Sequence, residues 1–413
     1  MRLTKPSWWW VSVTTIIAFV AFWPAVESLI REGRDIRQDY IAARRLLARH
    51  ELWRPFTDEE IAKIGVDLRL GMPTNFHPPT TLLVFAPFTF LSFRWAVILW
   101  SFFSLVFFYS SLYMLIVTNY QIRAVEWFVL SLATVFWFPL WLHIRFGQFS
   151  TLILLLITTF WLAVKRGNRV FAGTLLALAC LIKVFPVFIL LLLIVKRQWR
   201  ILLTALGIIC LAIAMIYLYY PESIVGFVDV AFENNRIFRS YFGNFSLNGF
   251  VGRLFNGTEG IEPLFSASSV EPIIRYSGSL VLILLAMILS YRISDFDLCL
   301  SLSTVVMLIV SPTTWAHNFV ILALPAVPLL KRTHASLGLT RRINYVLSIS
   351  IVVLSAVPHW QFYEWLKTHT STQPLPGWFL LTSPGFYVLI GMLLLCLINI
   401  SMIDTSGSNV TGC

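Results

Sequence analysis

Residues 201–219 read ILLTALGIICLAIAMIYLY, without a charged side chain. About 20 such residues cross the hydrocarbon of a bilayer as a helix. Apolar runs of this kind recur near 8–30, 274–291, 297–311, 314–330, 343–358 and 383–402. The whole chain of 413 residues is 58% hydrophobic and only 12% charged, a balance that no soluble domain of this size tolerates. The sequence therefore predicts an all-α polytopic membrane protein, one integral membrane domain over 1–413 with 11 to 13 transmembrane helices. No short solenoid-type repeat and no low-complexity tract interrupts it.

The net charge of +11 does not argue for nucleic acid. Basic residues collect in short loops, Lys165 to Arg169, Lys196 to Arg200 and Lys331 to Arg342, which the positive-inside rule assigns to the cytoplasm. Arg2 and Lys5 precede a long apolar stretch that has no small-residue cleavage site, so residues 1–30 read as a retained signal-anchor span. Residues 31–78 then form an outer loop with an acidic motif and short amphipathic helices. Central helices fill 79–219, a second outer loop covers 220–273, and C-terminal helices fill 274–413. Residues 170–195 begin and end inside but are too few for two full spans, so they read as a broken hairpin near 183–186, with Pro186 removing a helix donor. Residues 78–118 suffice for two spans or for one span plus a re-entrant piece near Pro78-Pro79 or Pro87. Cys180, Cys210, Cys299, Cys396 and Cys413 show no metal-type spacing and read as inert.

A polar side chain in such a protein is expensive and calls for a reason. Asp35, Asp39, His77, Gln148, Lys183, Asn244, Asn248, Trp315 and His317 all map to the outer face or to helix ends near it. Each has a plainer reading: Asp35 as a surface ion pair with Arg34 or Arg37, Asp39 as a helix cap, His77 as a turn residue, Gln148 as a helix-end partner. Lys183 inside an apolar hairpin needs an anionic partner. From Asp39 to Trp53 the chain reads as an amphipathic helix, with Ala42, Leu46 and Leu47 toward lipid and Arg44, Arg45 and Arg49 toward phosphates.

Several motifs in order resemble glycosyltransferase family 87, the polyprenol-phosphate-mannose-dependent mannosyltransferases of the GT-C fold. They begin with Asp35-Ile36-Arg37-Gln38-Asp39-Tyr40-Ile41-Ala42-Ala43-Arg44. Phe76-His77-Pro78-Pro79 and the apolar run to Ala86-Pro87 follow. Gly147-Gln148, Ala172-Gly173 and Ile182-Lys183-Val184-Phe185-Pro186 come next. The last are Asn244-Phe245-Ser246-Leu247-Asn248-Gly249 with Arg253, and Ser311-Pro312-Thr313-Thr314-Trp315-Ala316-His317. The chain departs from the family pattern at His77, usually Tyr, at Ala316 and Asn318, and at His50 to Pro55.

The resemblance implies a GT-C bundle whose active site opens on the extracytoplasmic face, in a bacterial inner membrane. The implied reaction moves a hexose, mannose by the family's habit, from a polyprenyl-phosphate donor to a hydroxyl of a lipid or glycan acceptor, with inversion. Asp35 aligns with the family's catalytic carboxylate, and a shift of four residues selects Asp39. Lys183, Arg44, Arg45 and His317 are candidates for the donor phosphate. His77, Gln148, Asn244, Asn248, Arg253 and Trp315 are candidates for substrate contact. The expected partners are the polyprenyl-phosphate sugar, the acceptor and membrane lipids, with no cofactor and no metal. The competing class is a polyprenyl-phosphate or glycolipid flippase that makes no bond, for which inverted repeats would speak and none is evident. Asn244, Asn256 and Asn409 head formal glycosylation sequons, relevant only in a secretory pathway.

Overall fold

The computed structural model describes residues 6–67, 72–258, 262–265, 267, 269–370 and 378–408. Cys413 and the sequon at 409–411 lie outside them. The described residues form helices and connecting turns with no β-strand. Five helices are long and apolar enough to cross a membrane: Phe93–Asn119, Trp199–Tyr219, Glu271–Arg292, Gly338–Ala356 and Pro384–Met402. Two bent pairs raise the number to seven, Trp8–Ala21 with Trp23–Glu32 at 57°, and Ala124–Phe136 with Phe138–Phe146 at 64°. Pro24 and Pro139 sit in the first turn after each bend, where a missing N–H costs nothing. The sequence count of 11 to 13 runs higher because Pro79–Phe90, Ser150–Lys165, Arg169–Ile182, Phe185–Val195 and Phe296–Val310 are apolar yet shorter, at 10–17 residues.

Solvent quality follows from burial. Only 17% of the apolar window in Glu271–Arg292 and 11% of that in Gly338–Ala356 is covered by protein. Apolar surface on that scale is stable only against lipid, and the chain is a multi-pass membrane protein.

The chain packs as two compact units, Met1–Val187 with Gln198–Asn234, and Phe188–Arg197 with Asn235–Cys413. In the first, buried Trp100 and Trp127 find partners for their indole N–H groups, the Gly147 carbonyl at 3.0 Å and Thr14 Oγ1 at 3.2 Å. Helix Arg169–Ile182 packs on Trp199–Tyr219 at Gly173. A Cβ there would lie 2.7 Å from the Ile201 carbonyl oxygen and 2.7 Å from Thr204 Cβ. The break foreseen near 183–186 is present: the helix ends at Ile182, Lys183 is extended, and a 3₁₀ turn covers Phe185–Val187. In the second unit, Phe296–Val310 is buried along most of its length. The expected span 314–330 instead starts as a 3₁₀ helix, Ala316–Leu322, and continues as Ala323–Ala335.

Both expected outer loops contain helices. The first holds Ile36–Leu47 and Asp58–Ala62, the second Glu222–Phe238 and Leu247–Asn256. Thr57 and Glu60 form a reciprocal capping box. The amphipathic helix expected over 39–53 begins at Ile36 and stops at Leu47. Its Ala42 and Leu46 are buried by protein, and only Leu47 is exposed.

Gly173→Val is expected to destabilise the protein by about 1–3 kcal/mol, because the interhelical contact leaves no room for a side chain. Gly207→Ala, whose Cβ meets nothing within 4 Å, should unfold no earlier than wild type. Thermal unfolding in detergent measures both.

Candidate active site

Helix Trp23–Glu32 ends at Gly33, φ 70°, the left-handed conformation that glycine adopts without penalty. Arg34 follows at φ 27°, and the chain turns into Ile36–Leu47 with Asp35 at the N-cap position. The Asp35 carboxylate does not cap that helix. Gln148 Nε2 donates to its Oδ2 at 2.6 Å, and Lys183 Nζ donates to Gln148 Oε1 at 2.9 Å. The amide can face only this way, since the reverse would set oxygen against carboxylate and nitrogen against ammonium. One turn along the same helix face, Asp39 Oδ1 lies 2.7 Å from His77 Nδ1. The expected capping role of Asp39 is thus replaced by a pairing with a residue 38 positions away.

Each partner is locally fixed. Helix Phe138–Phe146 terminates at Gly147, φ 67°, and a Cβ on Gly147 would sit 2.6 Å from Ile36 Cβ. Only glycine lets this turn touch the residue next to Asp35. Lys183 follows the last carbonyls of its helix, which accept hydrogen bonds from Thr80 (to Leu181) and from Thr81 (to Ile182, 2.5 Å). Pro79–Phe85, which carries both threonines, thereby anchors the lysine's end of the helix. Asn75 exchanges two hydrogen bonds of 3.1 Å with the backbone of His77. Gln38 Oε1 accepts from the Phe76 N–H at 3.0 Å, and Phe149 packs edge-on against the His77 ring at 5.6 Å. The sequence reading missed Asn75, Thr80 and Thr81. They flank Phe76-His77-Pro78-Pro79 in the sequence, and that proximity is the signal by which they were open to discovery.

Asp35 is 8% exposed. Burial pushes its carboxyl from the ordinary 3.8 up to about 6; the charges of His77 and Lys183 oppose the rise and that of Asp39 adds to it. Among the described residues nothing hydrogen-bonds its Oδ1, so one oxygen is held and the other is available. A carboxylate of this kind can accept a proton near neutral pH, and Lys183 can neutralise an anion beside it.

Arg45 is not an available phosphate donor. It is buried and salt-bridged to Glu60, with Nε at 2.8 Å, and also donates to the carbonyls of Arg54 at 2.8 Å and Pro55 at 3.1 Å. The hydrogen bonds from Arg45 hold the Glu60 carboxyl down to about 2. Arg44 is exposed, its guanidinium 5.9 Å from the Tyr40 ring centroid.

The second unit holds the remaining candidates. Asn244, fully buried, receives the N–H groups of Ser246 and Thr314 and donates to the Phe238 and Pro312 carbonyls. Arg253, also fully buried, donates to the Tyr241 carbonyl at 2.7 Å, the Asn244 carbonyl at 2.8 Å and Ser383 Oγ at 2.9 Å. Both are spent on backbone and neighbouring hydroxyls, which assigns them to building the loop. Asn248 donates to Asn235 Oδ1 and the Pro312 carbonyl. Trp315 lies half-buried against Phe238 and Tyr241, with centroids 5.3 and 5.6 Å away, and His317 is 6% exposed in the 3₁₀ helix. Among the described residues no three His, Cys, Asp or Glu side chains are grouped to hold a metal.

The raised Asp35 carboxyl has a consequence for folding. The protonated form suits the buried site, so its stabilisation is complete below pH 3.8 and is lost as pH rises through about 6. Thermal unfolding between pH 4 and 8 should show this acid-favoured step, worth about 3 kcal/mol. The step should be missing in Asp35→Asn.

The profile of glycosyltransferase family 87 matches residues 75–312, more than half of the chain, and the match includes His77, Gln148, Lys183, Asn244, Asn248 and Arg253. No curated protein and no solved structure matches the chain. The match spans more than half of the sequence, and the chain belongs to glycosyltransferase family 87.

Proposed function

We propose that this glycosyltransferase moves mannose from a polyprenyl-phosphate donor to a hydroxyl of a lipid or glycan acceptor, on the outer face of a bacterial inner membrane. Asp35 is the general base. Its Oδ1 takes the acceptor hydroxyl proton as that oxygen bonds to the anomeric carbon. The bond from the anomeric carbon to the phosphate oxygen breaks, and its electron pair leaves with the polyprenyl phosphate. A single displacement of this kind inverts the anomeric centre. Lys183 binds the leaving phosphate and meets the charge that develops on it. Gln148 positions both, through one amide. Asp39 orients His77, which faces the substrate.

The observation that carries this reading is the Asp35–Gln148–Lys183 chain, a base and a cation tied together at a fixed spacing. Family membership favours bond making over a flippase that uses the same cations.

The test is transfer from radiolabelled polyprenyl-phosphate-mannose to a membrane lipid extract by protein in nanodiscs. Asp35→Asn should lower kcat by about 10²–10⁴-fold, the usual contribution of a positioned base. Lys183→Gln should raise KM for the donor. The wild-type rate should climb as pH passes about 6, where Asp35 ionises. Full transfer by Asp35→Asn with loss in Asp39→Asn would move the base to Asp39.

A further inference from the structure

Both bent helix pairs end with the same arrangement. Glu32-Gly33-Arg34 closes the first and Arg145-Phe146-Gly147 the second, each with a left-handed glycine, and Asp35 and Gln148 follow directly. Arg34 and Arg145 share one carboxylate. Arg34 Nε donates to Glu32 Oε2, Arg145 Nη2 lies 3.3 Å from Oε1, and Ser28 Oγ donates to Oε1 at 2.8 Å. The two guanidiniums lie over aromatic rings, Arg34 over Phe146 at 5.7 Å and Arg145 over Trp141 at 5.0 Å.

A surface ion pair would need only one arginine. Cations also favour helix C-termini, which accounts for an arginine at each end. Neither reason explains four further features. Two guanidiniums are set on a single carboxylate, leaving positive charge in excess. Arg145 Nε is buried and has no hydrogen-bond partner among the described residues. The side chains are only partly covered, 25% exposed for Arg34, 22% for Glu32 and 27% for Arg145, so the fork is reachable. Arg34 also holds a left-handed φ of 27°, a strained backbone for a residue with a side chain, immediately before the proposed base.

From the excess guanidinium donors beside the site we infer that Arg34 and Arg145 form a second anion subsite, which takes the phosphate of an anionic lipid. This rests on the proposed function in one respect: Lys183 serves the donor phosphate there, which makes the acceptor lipid the source for this one. Planar guanidinium forks suit phosphate oxygens, and rings behind them hold their orientation. Glu32 keeps the fork pre-set when the subsite is empty and competes with the incoming anion.

Binding tests this without turnover, so its outcome is independent of whether Asp35 is the base. Native mass spectrometry of the full chain would follow retention of dihexanoylphosphatidic acid, with dihexanoylphosphatidylcholine and inorganic phosphate as comparisons. Wild type should retain the phosphatidic acid over both. Arg34→Gln and Arg145→Gln should each weaken it at least about tenfold, one unit of log affinity. Arg145→Lys should recover part of the loss. Glu32→Gln should tighten binding by freeing both guanidiniums, the opposite of what a purely structural ion pair predicts. Competition by citronellyl phosphate that persists in Lys183→Gln protein would overturn the acceptor lipid as the source and assign the donor phosphate to this subsite. Equal retention by wild type and both glutamine variants, or weaker binding in Glu32→Gln, would overturn the subsite. Stronger retention of inorganic phosphate than of phosphatidic acid would overturn a lipid ligand.

Discussion

One amide holds the first unit's chemistry together. Gln148 donates to Asp35 and accepts from Lys183, and it can do both only because three separate chain segments end at the same place. The bent helix pairs stop at Gly33 and Gly147, and Arg169–Ile182 stops before an extended Lys183. Burying a carboxylate and an ammonium without such a link would cost far more than either returns. Held by the amide, each buried charge has a polar partner that offsets part of the cost of its burial. The glycines and threonines nearby make sense as the means of that convergence: Gly147 permits the contact with Ile36, and Thr80 and Thr81 tie down the helix end beside Lys183.

Much of the fold was legible in the sequence because membrane solvent leaves a coarse signature. Long apolar runs such as 201–219 and 274–291 became helices with nearly those bounds. The break at Lys183 followed from a charge and Pro186 inside an apolar stretch. Span number was less legible, since an apolar run of 10–17 residues looks the same in sequence whether it crosses a bilayer or is packed inside protein. The second outer loop hid the helices Glu222–Phe238 and Leu247–Asn256, whereas the first showed its amphipathic helix in the pattern from Asp39.

The site was legible in residue type and not in pairing. Asp35, Asp39, His77, Gln148 and Lys183 stood out as polar groups in apolar surroundings. That Asp39 meets His77, and Asp35 meets Gln148 across 113 residues, is a tertiary fact with no local trace. Arg45 misled for the same reason. An amphipathic pattern places it on a polar face, but only the fold supplies Glu60 and the carbonyls that consume its donors.

The most direct measurement is a cryo-electron microscopy structure of the protein in nanodiscs with a polyprenyl-phosphonate analogue of the proposed mannose donor. The account predicts the phosphonate on Lys183 Nζ and the anomeric carbon facing the open Oδ1 of Asp35, with Gln148 still bridging the two. A phosphonate held away from Lys183, with Asp35 turned from the sugar, would contradict it.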